Sequence, residues 1–166
     1  MFTDMKISFK QIGIIHTPYL DNAPYQSVEK TIGDFSIEID PKYETTLISL
    51  EQFTHIYVLN YLDRVDEDAK NIISPPWAGS QSVGVFASRS PNRPNPNGLS
   101  VVKILRIEKN IIAISGIDAF DNTPLLDIKP YIKNLDSKED ANFGWVNITE
   151  LDEHLKMHLA GIPHKH

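Results

Sequence analysis

The 166-residue chain contains no cysteine, so it has neither a disulfide nor a thiolate that could act as a nucleophile or metal ligand. It also has no apolar run near the roughly 20 residues that a transmembrane helix requires. Its first residues, Met-Phe-Thr-Asp-Met-Lys, lack the basic and then apolar pattern of a secretory signal. These absences favour a cytoplasmic protein that is not associated with a membrane.

An overall excess of basic residues is missing as well, because the formal net charge is −6. Proteins whose main activity is binding nucleic acid usually carry a basic excess or a basic face. Acidic residues are concentrated late in the chain, whereas the middle of the chain holds a basic group: Arg89, Arg93, Lys103, Arg106 and Lys109. A local basic patch on an acidic body is compatible with RNA as a partner, and no DNA partner is expected.

Alternating βαβ segments and the glycine-rich dinucleotide fingerprint are both absent, which argues against a doubly wound parallel sheet. Period-two alternation or β-branched composition instead predicts strands at 10–17, 34–39, 55–62, 99–107 and 110–117. The last two are joined by Glu108 and Lys109, which predicts an antiparallel hairpin. Helical spacing is confined to two short segments, one after Pro41 and one after Thr149. The pattern predicts a mainly β fold.

The chain length suits a single domain over residues 1–166. We expect its β core to span about residues 8–148. A C-terminal helix and a His-rich tail are expected over about residues 149–166.

The most specific stretch is Gly84–Ser100, in which two arginines share a loop with three prolines. Each proline fixes its own φ near −65° and restricts the residue before it, so the loop should be stiff. A guanidinium binds carboxylate or phosphate through two parallel bonds, and a rigid loop lowers the ordering cost of binding. We therefore expect Arg89 and Arg93 to hold an anionic group. The alternative is a proline-rich surface turn with solvated arginines.

Four blocks in the same order resemble the TsaA-like proteins, whose characterised members include the TrmO tRNA methyltransferases. They are Ile12–Tyr19, Leu50–His55, the arginine–proline loop and Asp121–Tyr131. The resemblance implies a small antiparallel β-barrel that binds S-adenosylmethionine outside the Rossmann architecture. It also implies a homodimer with the cofactor pocket near the subunit boundary. The expected reaction is N6-methylation of a threonylcarbamoyl-modified adenosine beside the tRNA anticodon.

The resemblance further implies a set of cofactor-binding residues, which fall in five places of the chain. They are Tyr25, Gln26 and Ser27; Asp63 and Arg64; Arg89; the backbone around Leu99; and Asn122, Thr123, Pro124 and Leu125. Many relatives have arginine where this chain has Tyr25, and glycine is usual at the Asn122 position. Asparagine tolerates left-handed backbone better than most residues, so the second departure is mild. From the residues alone, Asp63–Arg64 also reads as a solvated strand end and Asn122–Pro124 as an ordinary turn.

Asp127 and Tyr131 are the candidates for catalysis, because both lie in the specific block and because the weakly nucleophilic acceptor nitrogen must lose its proton. An extended Leu126–Lys129 segment would place Asp127 and Lys129 on one face, opposite Leu126 and Ile128. That placement suits an acid and a cation lining a pocket. It equally suits a structural ion pair.

The C-terminal histidines invite a metal interpretation that the sequence does not favour. His154 and His158 lie one helical turn apart, but no accompanying acid completes a zinc-helix motif. His164 and His166 follow Gly161 and Pro163 in what reads as a tail. We therefore expect no metal and interpret these histidines as solvated or helix-end residues.

Two further functions stay open beside the tRNA methyltransferase. One is methyl transfer to a small molecule or another non-tRNA acceptor, since the chain lacks the extra C-terminal domain of the longer bacterial tRNA enzymes and is acidic. The other is a non-catalytic module that senses S-adenosylmethionine.

Overall fold

The computed structural model describes residues 5–24, 29, 33–65, 68–75, 78, 81–146 and 153. Strands dominate this part of the chain. They are β1 (Gly13–His16), β2 (Ser36–Ile39), β3 (His55–Tyr61), β4 (Ile72–Ile73), β5 (Val83–Gly84), β6 (Asn97–Glu108), β7 (Ile111–Ile114) and β8 (Thr123–Pro130).

Six of the strands form a closed ring in the order β1-β2-β7-β6-β3-β8, with β8 returning to β1. Every neighbouring pair in this ring is antiparallel. The remaining strands, β4 and β5, form a separate two-stranded sheet. The predicted mainly β fold is confirmed, as is the hairpin, which β6 and β7 form with Lys109 in left-handed backbone at the turn.

The hydrophobic core consists of the side chains that alternate strand positions direct to one side of the ring. Ile15, Ile37, Ile56, Ile112 and Leu125 are all fully buried. In β3 the buried and part-buried residues alternate strictly, as expected when one face of a strand packs on a core and the other does not. The outward side chains of β3, β6 and β8 are therefore available for a surface site.

The helices are short. Among the described residues, 3-10 helices lie at Pro41–Leu47, Leu50–Gln52 and Val85–Ala87, and the α-helix α1 lies at Lys133–Asp136. Asp40 caps the first of them by accepting from the Lys42 backbone N–H. The helix predicted after Pro41 is thus present as 3-10 turns that cover the core with Leu47. The helix predicted after Thr149, its Leu151, Leu155 and Leu159, and the C-terminal histidines lie outside the described residues.

The predicted strands are all present with shifted ends, whereas β8 was not among them. Pro124 and Pro130 lie at its two ends, and proline is rare inside strands because it has no N–H to donate. Within β8 the register against β3 shifts, since Leu59 pairs with Asp127 and Asn60 with Leu125. Leu126 is left without a partner on β3, which is the geometry of a β-bulge.

Candidate functional site

The predicted cofactor-binding residues that the structure describes, apart from Arg89, gather at one end of the ring. At this end, here called the upper end, β3 finishes while β6 and β8 begin. Asn60 lies opposite Gly98 on one side and Leu125 on the other. The upper end therefore holds the following residues together: Asp63 and Arg64 after β3, Leu99 in β6, and Asn122 to Leu125 at the start of β8. Tyr25, Gln26 and Ser27 lie outside the described residues.

Close packing at the upper end depends on Gly98. A Cβ atom at this position would lie 2.5 Å from Oδ1 of Asn60, closer than two such atoms approach in real proteins. Asn60 itself is only 2% exposed, so its side chain has little room to move away. Gly98 thus lets the start of β6 lie directly against β3, beside Leu99.

Arg64 is ordered by backbone carbonyl groups from two distant segments. Its Nη1 donates to the Leu20 carbonyl at 2.8 Å, and its Nη2 donates to the Asp121 carbonyl at 2.5 Å. The guanidinium also lies 5.2 Å from the centre of the Phe120 ring, a cation–π distance. The interpretation of Asp63–Arg64 as a merely solvated strand end is therefore wrong for Arg64. The guanidinium joins the segment that leads to Tyr25 with the segment that leads to Asn122.

Asp121, which sequence reasoning did not single out, is the centre of a polar network at the upper end. Its Oδ1 accepts from the Thr17 N–H at 3.1 Å, and its Oδ2 accepts from the Asn122 side-chain amide at 2.7 Å. His16 lies between two carboxylates, with Nδ1 3.6 Å from Asp121 and Nε2 3.0 Å from Glu38. Asn122 has φ of 64°, so the asparagine adopts the left-handed backbone that this residue type tolerates.

The arginine–proline loop uses its two arginines differently. Arg93 turns back on its own loop, where Nε donates to the Ser90 carbonyl at 3.1 Å and Nη2 donates to the carbonyls of Val85 and Ser88 at 3.0 and 2.8 Å. Three of the five N–H donors of Arg93 therefore bind carbonyl groups of its own loop, so the guanidinium does not present its full fork to an anion. Arg89, by contrast, is exposed on the loop that leads into β6.

The outward side chains of β6, β3 and β8 form a continuous surface, here called the outer face. In its register Leu59 of β3 lies opposite both Leu99 of β6 and Asp127 of β8. Since neighbouring strands are about 4.8 Å apart, Leu99 and Asp127 are separated by roughly 10 Å across Leu59. The structure thus places the candidate acid Asp127 in the same row as a predicted cofactor contact.

Asp127 and Lys129 form an ion pair, with the Lys129 Nζ atom 2.6 Å from the Asp127 Oδ2 atom. This is the ion pair that the sequence offered as the alternative to a pocket-lining role. The other carboxylate oxygen of Asp127 accepts from the Ile128 N–H at 2.9 Å. The Asp127 side chain remains 41% exposed, so an incoming group can still reach it. Ile128 packs against the core on the opposite side of the strand, as predicted.

Tyr131 lies further from the upper end. Four residues of extended chain separate it from Asp127, or roughly 13 Å at the rise of a strand. Its N–H donates to the His55 carbonyl at 3.0 Å, and its ring lies 5.5 Å from that of Tyr57. The structure therefore brings Asp127, and not Tyr131, next to the predicted cofactor residues.

Tyr57 is a titratable group of the outer face that the sequence did not reveal. Burial raises the pKa of its phenol, and the neighbouring carboxylate of Asp136 acts in the same direction. Like any tyrosine, Tyr57 is protonated at neutral pH, and the raised pKa extends this state to more alkaline pH, beside Tyr131. The β-branched and aromatic composition of residues 55–62 predicted a strand there, but it did not show that Tyr57 would lie in a site.

A concavity of about 440 Å³ lies at the end of the ring opposite the upper end, next to the 3-10 helices at Pro41–Leu47 and Leu50–Gln52. Its walls are mainly apolar side chains, including Ile12, Leu47 and Phe53, and Asp127 and Ile128 border it. Among the described residues, no three His, Asp or Glu side chains are grouped so as to hold a metal ion. No helix in this part of the chain is both long and apolar enough to cross a bilayer.

Comparison with known proteins assigns the chain to a family. Residues 14–137 match the model of the tRNA-methyltransferase O (TrmO) N-terminal domain. The chain belongs to the TrmO family. The family assignment made from the four sequence blocks is thereby confirmed.

Individual relatives agree with this assignment. An S-adenosyl-L-methionine-binding protein of Archaeoglobus fulgidus is 37% identical over 134 residues, which cover 76% of this chain and 91% of that protein. A human tRNA (adenine(37)-N6)-methyltransferase is 41% identical over 99 residues, which cover 59% of this chain and 22% of that enzyme. A crystal structure of TrmO from P. aeruginosa superposes with a TM-score of 0.72 at 30% identity, covering 90% of this chain and 64% of that one. The chain thus spans less than two thirds of the human enzyme and of the solved TrmO.

Proposed function

We propose that the protein is an S-adenosylmethionine-dependent methyltransferase that modifies the N6 position of an adenosine next to the tRNA anticodon. It is supported by the convergence of Arg64, Leu99 and Asn122–Leu125 at the upper end of a TrmO-family domain. The acid Asp127 lies in the same row as Leu99, across Leu59. The threonylcarbamoyl form of that adenosine is the acceptor we propose, as the family resemblance implies.

The residues present at the upper end fit the methyl donor, which carries a carboxylate, an amine, a sulfonium and an adenine. Arg89 is an exposed cation on a loop held by Arg93, and it suits the carboxylate. Leu99 is 59% exposed and offers an apolar surface to the adenine. The left-handed turn at Asn122 fixes the start of β8 at the upper end, and we propose that this turn meets polar groups of the ligand. When bound, the donor supplies an electrophilic methyl group.

Catalysis of methyl transfer depends mainly on aligning the acceptor with that methyl group and on excluding water. The acceptor nitrogen is amide-like, so its proton must be removed as it attacks. Asp127 is the group we propose for this proton transfer, because its carboxylate is accessible and held in place by Lys129 and the Ile128 N–H. Tyr131 is proposed to contact the acceptor further along the outer face.

We also propose that the closed ring of six strands is the small β-barrel of this family and that the protein is a cytoplasmic homodimer. Three exposed apolar side chains on neighbouring strands support an interface on the outer face: Tyr61, Leu99 and Val101 are 45, 59 and 43% exposed. Light scattering at the dimer mass across a wide concentration range tests this, and a constant monomer mass contradicts it.

A small-molecule acceptor is the second candidate, and the net charge of −6 favours it because tRNA is a polyanion. The decisive experiment compares tRNA nucleosides, by mass spectrometry, from cells with and without the gene. Loss of an N6-methylated adenosine in the deletion strain supports the tRNA reaction. Unchanged nucleosides, together with binding of S-adenosylmethionine by the purified protein, favour another acceptor or a sensing module.

A further inference from the structure

Asp121 holds a turn whose conformation is unfavourable for most residues. The turn runs from Phe120 to Thr123, where the Thr123 N–H donates to the Phe120 carbonyl at 3.3 Å. Asn122 occupies its third position with φ of 64°, a region that side chains other than glycine seldom adopt. Since β8 starts directly after it, this turn fixes where Thr123, Pro124 and Leu125 lie.

The Asp121 side chain is held from both sides. On one side, the Thr17 N–H donates to the Asp121 Oδ1 atom. The Nδ1 atom of His16 lies 3.6 Å from the same oxygen, and the Nε2 atom of His16 lies 3.0 Å from Glu38. On the other side, the Asn122 side-chain amide donates to the Asp121 Oδ2 atom at 2.7 Å. An ionised carboxylate accepts and does not donate, so it can receive all of these groups at once.

The Asp121 backbone is fixed as well. Its N–H donates to the Tyr19 carbonyl at 2.8 Å, and its carbonyl accepts from Arg64, which also binds the Leu20 carbonyl. The backbone of Asp121 is therefore connected to the segment before Tyr25 and to Arg64 in the segment after β3. All of these contacts converge on the residue that precedes Asn122.

We propose that Asp121 is a positioning residue for the methyl donor, which with His16 and Arg64 holds Asn122 in left-handed backbone so that Asn122–Leu125 is ordered before the donor binds. The inference rests on the proposed function. It assigns to Arg64 the role of holding the site in place rather than of neutralising the ligand. Order present before binding raises affinity because the chain loses less freedom when the ligand arrives.

Asp121→Asn tests this inference with almost no change in size. Its amide oxygen still accepts from Thr17, but the negative charge beside His16 is lost. The Asn122 amide keeps a bond to the new side chain only by turning its own oxygen toward the amide nitrogen, so the charge-assisted bond is lost in either case. We expect the dissociation constant for S-adenosylhomocysteine, measured by calorimetry, to rise about tenfold, as for loss of one hydrogen bond to a charged group. Asp40→Asn is the matched control, because Asp40 follows β2 at the opposite end of the ring and asparagine still caps the 3-10 helix.

The second variant separates positioning from a general structural effect. In the Asp121→Asn background, Asn122→Gly should restore most of the affinity, since glycine enters the left-handed region without the amide contact. Wild-type affinity for Asp121→Asn, or a weakened affinity that Asn122→Gly does not restore, overturns the inference.

If Asp121→Asn does not fold, a second pair of variants tests the inference. Asn122→Ala should then bind S-adenosylhomocysteine more weakly than Asn122→Gly, and equal affinities of these two variants overturn the inference. If the wild-type protein itself binds no S-adenosylhomocysteine, the proposed function is wrong and the inference falls with it.

Discussion

Leu99 and Asp127 lie on either side of Leu59 in one row of the outer face. One of them is a predicted contact of the methyl donor and the other is the candidate base. A separation of roughly 10 Å between their backbones leaves room for a side chain from each and for the reacting groups between them. We therefore expect methyl transfer to take place on the outer face, at the row of Leu99, Leu59 and Asp127.

The exposed Arg89 should determine affinity for the donor and leave the fold unchanged. Arg89→Ala is expected to weaken binding of S-adenosylmethionine by about 1.5–3 kcal/mol, the range for a hydrogen bond to a charged group. Arg89→Lys should recover only part of this, because a point charge does not reproduce a bidentate fork. Calorimetry measures both, and wild-type affinity for Arg89→Ala would show that this arginine does not touch the ligand.

Arg93 should behave in the opposite way, with its main effect on stability. Arg93→Ala leaves the carbonyls of Val85, Ser88 and Ser90 without their guanidinium partner. We expect the free energy of unfolding to fall by about 1–3 kcal/mol, measured by urea denaturation. Arg106→Ala is the control, because it removes only the exposed ion pair between Arg106 and Glu108. Equal stabilities for the two variants would contradict the roles assigned to them.

Gly98→Ala should disturb the junction of β3 and β6. The added methyl group would lie 2.5 Å from the buried Asn60 side chain, so one of the two must move. Overpacking of this kind costs about 1–3 kcal/mol, which thermal denaturation detects. Gly84→Ala is the control, because the nearest atom to a Cβ there is 4.0 Å away. A Gly98→Ala protein as stable as Gly84→Ala would contradict the packing described here.

Tyr57 should ionise only above the ordinary range of a tyrosine. Burial raises its pKa in the folded protein, so the folded state holds its proton more tightly than the unfolded state does. The stability that this provides is complete below the unfolded pKa of about 10 and is lost as the pH rises through the folded value. Ultraviolet titration of the tyrosines should show a late component that Tyr57→Phe removes. A titration curve identical in shape for both proteins would refute it.

Local patterns sufficed for most of the fold, since alternation or β-branched composition located β1, β2, β3, β6 and β7. The short Glu108–Lys109 link indicated the hairpin of β6 and β7. Local patterns did not reveal β8, because Pro124 and Pro130 lie near its two ends and proline is rare in strands. The bulge at Leu126 also interrupts the alternation of buried and exposed residues. Closure of the ring depends on pairing between β1 and β8, which are separated by about a hundred residues and share no local signal.

The candidate site likewise combines local features that the sequence showed with long-range contacts that it did not show. Loop stiffness and the left-handed tendency of asparagine were visible in the sequence, and Asn122 adopts that backbone. What Arg93 and Arg64 bind was not visible, because carbonyl groups are identical in every residue and only folding decides which of them face a guanidinium. The roles of Asp121 and His16 likewise depend on contacts between residues more than a hundred positions apart.

Transfer of a labelled methyl group from S-adenosylmethionine to unmethylated tRNA tests the central claim most directly. The wild-type protein should label one adenosine beside the anticodon. Asp127→Asn should bind the donor normally and lower the rate by about 10²–10⁴-fold, the usual contribution of a general base. Glu108→Gln, which breaks the surface ion pair with Arg106, should leave the rate unchanged. No labelled adenosine with wild-type protein, or an undiminished rate with Asp127→Asn, would contradict the account.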